Sequence, residues 1–429
     1  MRRLQLQSGA LAIALLVCAF SVDVARAAAG NEDPAEPIDS AWEAWGEGDI
    51  AGAEALARKA RKEGGDRARH LLAYAAYVGG DYEGFLSKLG EMTPGYAERD
   101  KLSRPAVEAL KHLDRPQEAL EFARAHNAAD DWTERSLTQM AAHPLNVTLQ
   151  RVTIVPFTDD ALTPLLPGLK IEINGVETTA RLDTGGVFLN MSLATAAKLG
   201  VETTACRAAQ ASLTETRSCL GFAASVKIGD ATIENAPVQT AETLTAAALG
   251  AEDAVVIGAN FLERFLATID YPQRRIILSP RGEEKLRRAH LKLIGKAAAE
   301  TPFYLWGDHF MFARGRIGAN DGLNFFIDSG LVAVAPSGRQ AALLASQAKA
   351  DEWGAEKTDP DGLFRALSAE LALGPLAQTG HLIFVQPQAP VPSLGGVRID
   401  ALLSHAFLKK YSWTIDFDQR VFRPKASER

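Results

Sequence analysis

The stretch Thr179-Ala180-Arg181-Leu182-Asp183-Thr184-Gly185 runs from a strand-like segment into an acidic triplet, and Leu323-Asn324-Phe325-Phe326-Ile327-Asp328-Ser329-Gly330 does so again later in the chain. Two carboxylates brought face to face can share one proton and so activate a water molecule. One such triplet is only an Asp-initiated turn. Two of them, each at the end of an apolar run, make Asp183 and Asp328 a candidate acid–base pair.

The residues beyond each triplet strengthen the pairing. After the first come Val255-Val256-Ile257-Gly258-Ala259-Asn260-Phe261-Leu262, Phe265, Thr268-Ile269-Asp270 and Gln273-Arg274. After the second come Ala401-Leu402-Leu403-Ser404-His405-Ala406-Phe407-Leu408, Tyr411, Thr414-Ile415-Asp416 and Gln419-Arg420. The aspartates are 145 residues apart and the later blocks 146, so register holds across the unit. The spacing reads as an internal duplication.

These residues resemble the pepsin-like and retropepsin-like aspartic peptidases in their bacterial two-lobed form, over residues 148 to 425. The resemblance implies a mainly β fold of duplicated acid-protease barrel lobes, lobe 1 over 148–281 and lobe 2 over 301–425, joined by a linker at 282–300. It implies catalysis by Asp183 and Asp328 and a peptide or protein substrate, with no cofactor. Thr184 and Ser329 are expected to bond across the lobe interface, while Gly185 and Gly330 let the backbones approach closely. Three residues depart from the family pattern. Leu402-Leu403-Ser404 carries Ser where Val256-Ile257-Gly258 has the family's Gly, and it is expected to crowd the loop beneath the second triplet. Gly186 and Leu331 stand where a hydroxylated or small residue is usual, and the lack of a hydroxyl at Leu331 is expected to make Asp328 the more easily protonated partner. A peptidase fold that holds peptides without cutting them is the competing reading, and a scaffold built on the N-terminal helices is a third.

Within lobe 1, Leu169 to Ile173 alternates and Asn174-Gly175 predicts a tight hairpin. Ser192 to Leu199 reads as a short helix, and Ser225 to Ile233 as a second hairpin. Val201 to Phe222 takes the place of the family's flap. Cys206 and Cys219, the only cysteines left once a leader is removed, read as a disulfide across its arms, with two free thiols as the alternative. Lobe 2 repeats the pattern with Phe310 to Ala313 and Ile317-Gly318, and Gln386 to Pro392 reads as an extended surface loop.

Residues 38–145 have a helical texture. Gly48-Asp49, Gly80-Asp81 and Asp114-Arg115 recur at spacings of 32 and 34 between segments with apolar residues three and four apart. The period resembles tetratricopeptide repeats and implies either a concave face for a protein partner or a cap on the peptidase. Residues 1–27, with Arg2-Arg3, the apolar Ala10 to Phe20 and Ala25-Arg26-Ala27, read as a signal peptide to the periplasm or exterior, followed by a linker at 28–37. Lipid anchoring at Cys18 is disfavoured by bulky Val17. No later segment reads as a membrane span, so the mature chain is expected to be soluble. A net charge of −7 argues against a nucleic-acid partner. The basic run Lys285-Leu286-Arg287-Arg288 with Lys292 reads as a solvated linker. No His or Cys spacing suggests a metal site, no Gly-x-Ser-x-Gly elbow is present, and His405 reads as structural.

Overall fold

The computed structural model describes residues 12–13, 37–211, 214–242, 253–295, 299–389 and 391–426. The leader and Cys18 readings lie outside these residues, apart from Ala12–Ile13, which pairs antiparallel with Val332–Ala333. From Pro37 the described chain runs through helices α1 (Pro37–Gly46), α2 (Ile50–Val78, kinked at Gly65), α3 (Tyr82–Gly90), α4 (Ser103–His112), α5 (Pro116–His126) and α6 (Asp131–Ala142). The recurrent dipeptides are the turns between them. Gly48, Gly80 and Asp114 take φ of 76°, 83° and 56°, the left-handed conformation that ends a helix, and glycine reaches it without a Cβ penalty. Asp49 and Asp81 then cap the following helices by accepting from the amides of Gly52 and Gly84. Arg115 has no such side chain, and Pro116 starts α5 instead.

The rest is mainly β. An eight-stranded sheet runs Asn146–Thr148, Ala231–Ala241, Leu189–Ser192, Val255–Ile257, Val176–Leu182, Gly168–Ile173, Thr214–Ile228, Glu202–Ala211. Its tight turn at Asn174-Gly175 has φ of 50° and 83°, as the Asn-Gly pair requires. A second large sheet, built from residues of 304–404, holds Asn320–Asp328 beside the parallel strand Ala401–Ser404. A six-stranded sheet takes strands from both halves of the β region. In it Phe265–Asp270 pairs antiparallel with Tyr411–Asp416, with Thr268 opposite Thr414 and their hydroxyls 2.6 Å apart.

Packing ties the helices to the second half of the β region. Trp45, Tyr77 and Phe85 share one buried cluster with Phe312, Phe326, Leu344 and Leu402. Trp306 meets the edges of Tyr74 and Tyr77 at 5.3 and 5.2 Å, and Trp45 Nε1 donates to Gly395 O at 2.8 Å. A buried aromatic at such a junction contributes about 3–5 kcal/mol, measured as loss on truncation to Ala. The basic run is not a solvated linker: Glu284–Ile294 is a helix with His290 and Ile294 buried. Its amphipathic spacing turns Arg287 inward to buried Asp416 at 2.5 Å, while Lys285, Arg288 and Lys292 stay exposed.

Candidate active site

Strand Val176–Leu182 lies parallel to Val255–Ile257, and the Asp183 amide donates to Ile257 O at 2.9 Å, which fixes where the first triplet leaves the sheet. In the second half Asp328 itself is in register with Ser404. Both triplets then turn alike, Gly186 N donating to Asp183 O and Leu331 N to Asp328 O.

The two turns interlock. Thr184 N donates to Ser329 Oγ at 2.9 Å, Ser329 N donates to Thr184 Oγ1 at 3.0 Å, and Thr184 Oγ1 donates to Ile327 O at 2.9 Å. Each carboxylate accepts from its own loop, Asp183 Oδ1 from Gly185 N at 2.8 Å and Asp328 Oδ1 from Gly330 N at 3.0 Å. Each also nests against the opposite loop: a Cβ on Gly185 would collide with the Asp328 carboxyl, and one on Gly330 with that of Asp183. Absence of a side chain at these two positions is therefore what allows the acids to face one another.

Their environment separates the two acids. Asp183 is 4% exposed and Asp328 0%. Burial pushes the Asp183 carboxyl up, but the hydrogen bond from Asp328 and the amides of Gly185, Gly330 and Gly186 draw it part of the way back. Asp328 is pushed well above the carboxylate range by burial and then by the charge of Asp183. Its Oδ2 is buried with no partner to donate to it. One proton held by the pair removes the cost of two buried charges facing each other, so the acids titrate as a unit, with Asp328 the more strongly raised of the two. Leu331 is not the main cause, because burial and the facing acid come first. Its side chain is 2% exposed and packs in the cluster that holds Phe326, Leu344 and Leu402.

The crowding expected from Ser404 does not occur. A Cβ at Gly258 would overlap Gly186 O and Val187 O, because the first half runs directly from its triplet under that residue into Leu189–Ser192. The second half detours through Val332 to Ala342 before strand Leu343–Ser346, so different backbone lies beside Ser404. Ser404 Oγ donates to Ala341 O at 2.6 Å and accepts from Ala406 N at 3.0 Å, which caps the short helix His405–Leu408. His405 is buried and pushed down to about 3 by that burial, with Nε2 facing Pro164 O at 3.1 Å. A neutral ring held this way packs against Tyr271 beneath the loops.

Cys206 and Cys219 face each other in the hairpin of Glu202–Ala211 and Thr214–Ile228 and form a disulfide. The helical region grips the same arm: Arg207 lies over the Trp132 ring at 4.5 Å and 3.4 Å from Asp130. Neither this contact nor the partnership of Glu263 with His112 and Arg420 was anticipated from the sequence. Arg420 did carry a signal, since it aligns with Arg274. Among the described residues no group of three His, Cys, Asp or Glu side chains is placed to hold a metal ion.

Residues 169–261 match the family model for aspartyl protease, a span that includes Asp183-Thr184-Gly185 and ends before the second triplet. This match and the β architecture support an aspartyl protease domain in the chain. No curated protein matches the sequence.

Proposed function

We propose that the chain is an aspartic endopeptidase whose two lobes, 148–281 and 301–425, arose by duplication and contribute Asp183 and Asp328 to one site. The observation that carries this reading is the reciprocal bonding of Thr184 and Ser329, which brings two buried carboxyls against each other's glycines. The facing of Thr268 and Thr414, equivalent residues of the two blocks, supports the duplication.

In the mechanism this arrangement suits, a water lies between the acids. Ionised Asp183 takes a proton from it as its oxygen attacks the peptide carbonyl carbon, and Asp328 passes its proton to the carbonyl oxygen. The tetrahedral diol collapses when the nitrogen is protonated by Asp183 and a hydroxyl proton returns to Asp328, which restores both acids. Thr184 and Ser329 act on the geometry of the loops, and Gly185 and Gly330 provide the space.

The Cys206–Cys219 disulfide fits an oxidising compartment, in keeping with a leader at 1–27 and a periplasmic or secreted protein. Among the described residues no helix is long and apolar enough to cross a membrane. The helical region, read as tetratricopeptide-like, acts at least as a cap, given its shared core with the second half. Incubating the purified protein with a mixed peptide library, with and without a transition-state inhibitor of aspartic peptidases, tests the function. Inhibitor-sensitive cleavage is expected. Peptide binding without cleavage at any pH would favour a non-catalytic binding module.

A further inference from the structure

His112 ends α4 at a buried junction where the helical region meets both halves of the β region. Its side chain is 4% exposed. One ring nitrogen, Nδ1, lies 2.9 Å from Glu263 Oε2, and the other, Nε2, lies 3.0 Å from Gly307 O. A peptide carbonyl only accepts, and so does an ionised carboxylate. A neutral imidazole has one N–H and can satisfy one of the two; both contacts are hydrogen bonds only when the ring carries two. Rotating the ring by half a turn would set carbon atoms against both acceptors and lose both contacts, so the orientation with nitrogens facing them is the one that satisfies the site.

The neighbours bear on both requirements. Burial alone would raise the Glu263 carboxyl, but the charge and hydrogen bond of His112, with Arg420 and Arg264, bring it down to about 2, and Arg420, 3.4 Å from Oε1, favours the ionised form whatever the state of His112. Arg420 Nη2 donates to Tyr82 OH at 2.7 Å and lies 3.4 Å from Glu263 Oε1. Tyr82, from α3, stacks on the His112 ring at 4.5 Å with 3° between planes. Asp308, beside Gly307, pairs with Lys111, which also bonds Glu108. Arg281 Nη1 donates to Glu263 O. Thus Glu263 and Asp308 favour a charged ring, while Arg420 and burial oppose it, and the balance raises His112 above its usual value.

Three parts of the chain converge here. Glu263 follows the helix Ala259–Leu262 in the first half, and Arg420 sits in the turn before Val421–Ala426 in the second. We propose that His112 is an imidazolium in the folded protein and that this proton latches the helical region onto both halves of the β region, so that docking weakens as pH rises. For a group raised on folding, the stabilisation is complete below the ordinary histidine value of about 6.5 and is lost as pH climbs through the raised value. The inference is independent of peptide cleavage and stands or falls apart from it.

The experiment uses the full chain labelled with ¹⁵N at histidine. Both His112 ring nitrogens are expected to be protonated at pH 7.5, with the signal identified by its loss in His112→Gln or, where that variant does not fold, by through-bond assignment in the wild type. A ring with one bare nitrogen at pH 7 would overturn the proposal. Amide exchange gives a second readout: after correction for intrinsic rates, α4 and residues 307–309 are expected to open roughly tenfold more readily at pH 9 than at pH 6.5. Exchange independent of pH in the wild type would also overturn it.

Discussion

The first and second halves of the β region carry the same pattern and solve the space beneath their triplets in opposite ways. The first half keeps the space empty: Gly258 lies so close to Gly186 O and Val187 O that no side chain fits. The second half fills it, with Ser404 bonded to Ala341 O and Leu331 sealed among apolar neighbours. The same split recurs in the closing hairpins. Arg274 and Arg420 both have φ of 51°, but Arg274 reaches outward to Asp159 while Arg420 is buried against Tyr82 of the helical region. Matching sequence therefore preserves the turn, and the neighbours decide what the side chain does.

Exchanging the residues at 258 and 404 should have the largest effect. Gly258→Ser should destabilise by about 3 kcal/mol or more, because the clash is with backbone that cannot move aside. Ser404→Gly should cost only about 1 kcal/mol, the worth of one buried hydrogen bond and a cap. Urea unfolding of the two variants measures both, and equal costs would dissolve the distinction.

Next in size, Leu331→Ala should cost about 2–3 kcal/mol through the cavity it leaves, with the pH dependence of cleavage unchanged. A shifted pH profile would restore Leu331 to a direct part in tuning Asp328.

A smaller effect separates the two acids. A carboxyl raised on folding contributes most at low pH and loses that contribution as pH rises through its folded value, so near neutrality ionising the pair costs stability. Asp328→Asn keeps the shape without that cost. Its melting temperature should exceed that of the wild type at pH 7, and the gain should vanish near pH 3. Calorimetry across that range would expose an Asp328 that titrates normally, since the gain would then be absent.

Much of this was legible in the sequence wherever the physics is local. Asn174-Gly175, the Gly48 and Gly80 turns and the short helix read from Ser192 to Leu199 each follow from residues within a few positions; that Ser192 caps this helix by accepting from Thr195 N is seen only in the structure. The facing cysteines were legible because only a short segment separates Cys206 from Cys219. What escaped was set by backbone far away in the chain. Ser404 is harmless because of the route taken from Val332 to Ala342, which no local pattern announces. Arg287 sits inward because Asp416 is buried opposite it, and a charge run by itself looks like a solvated face.

Whether Asp183 and Asp328 share one proton as a unit is decided by kcat/KM for a cleaved peptide in the wild type, Asp183→Asn and Asp328→Asn, with folding checked by circular dichroism. Each amide keeps the shape but cannot carry the shared proton, so each variant should lose at least about 10²-fold while remaining folded. Either variant retaining activity near that of the wild type would contradict the account.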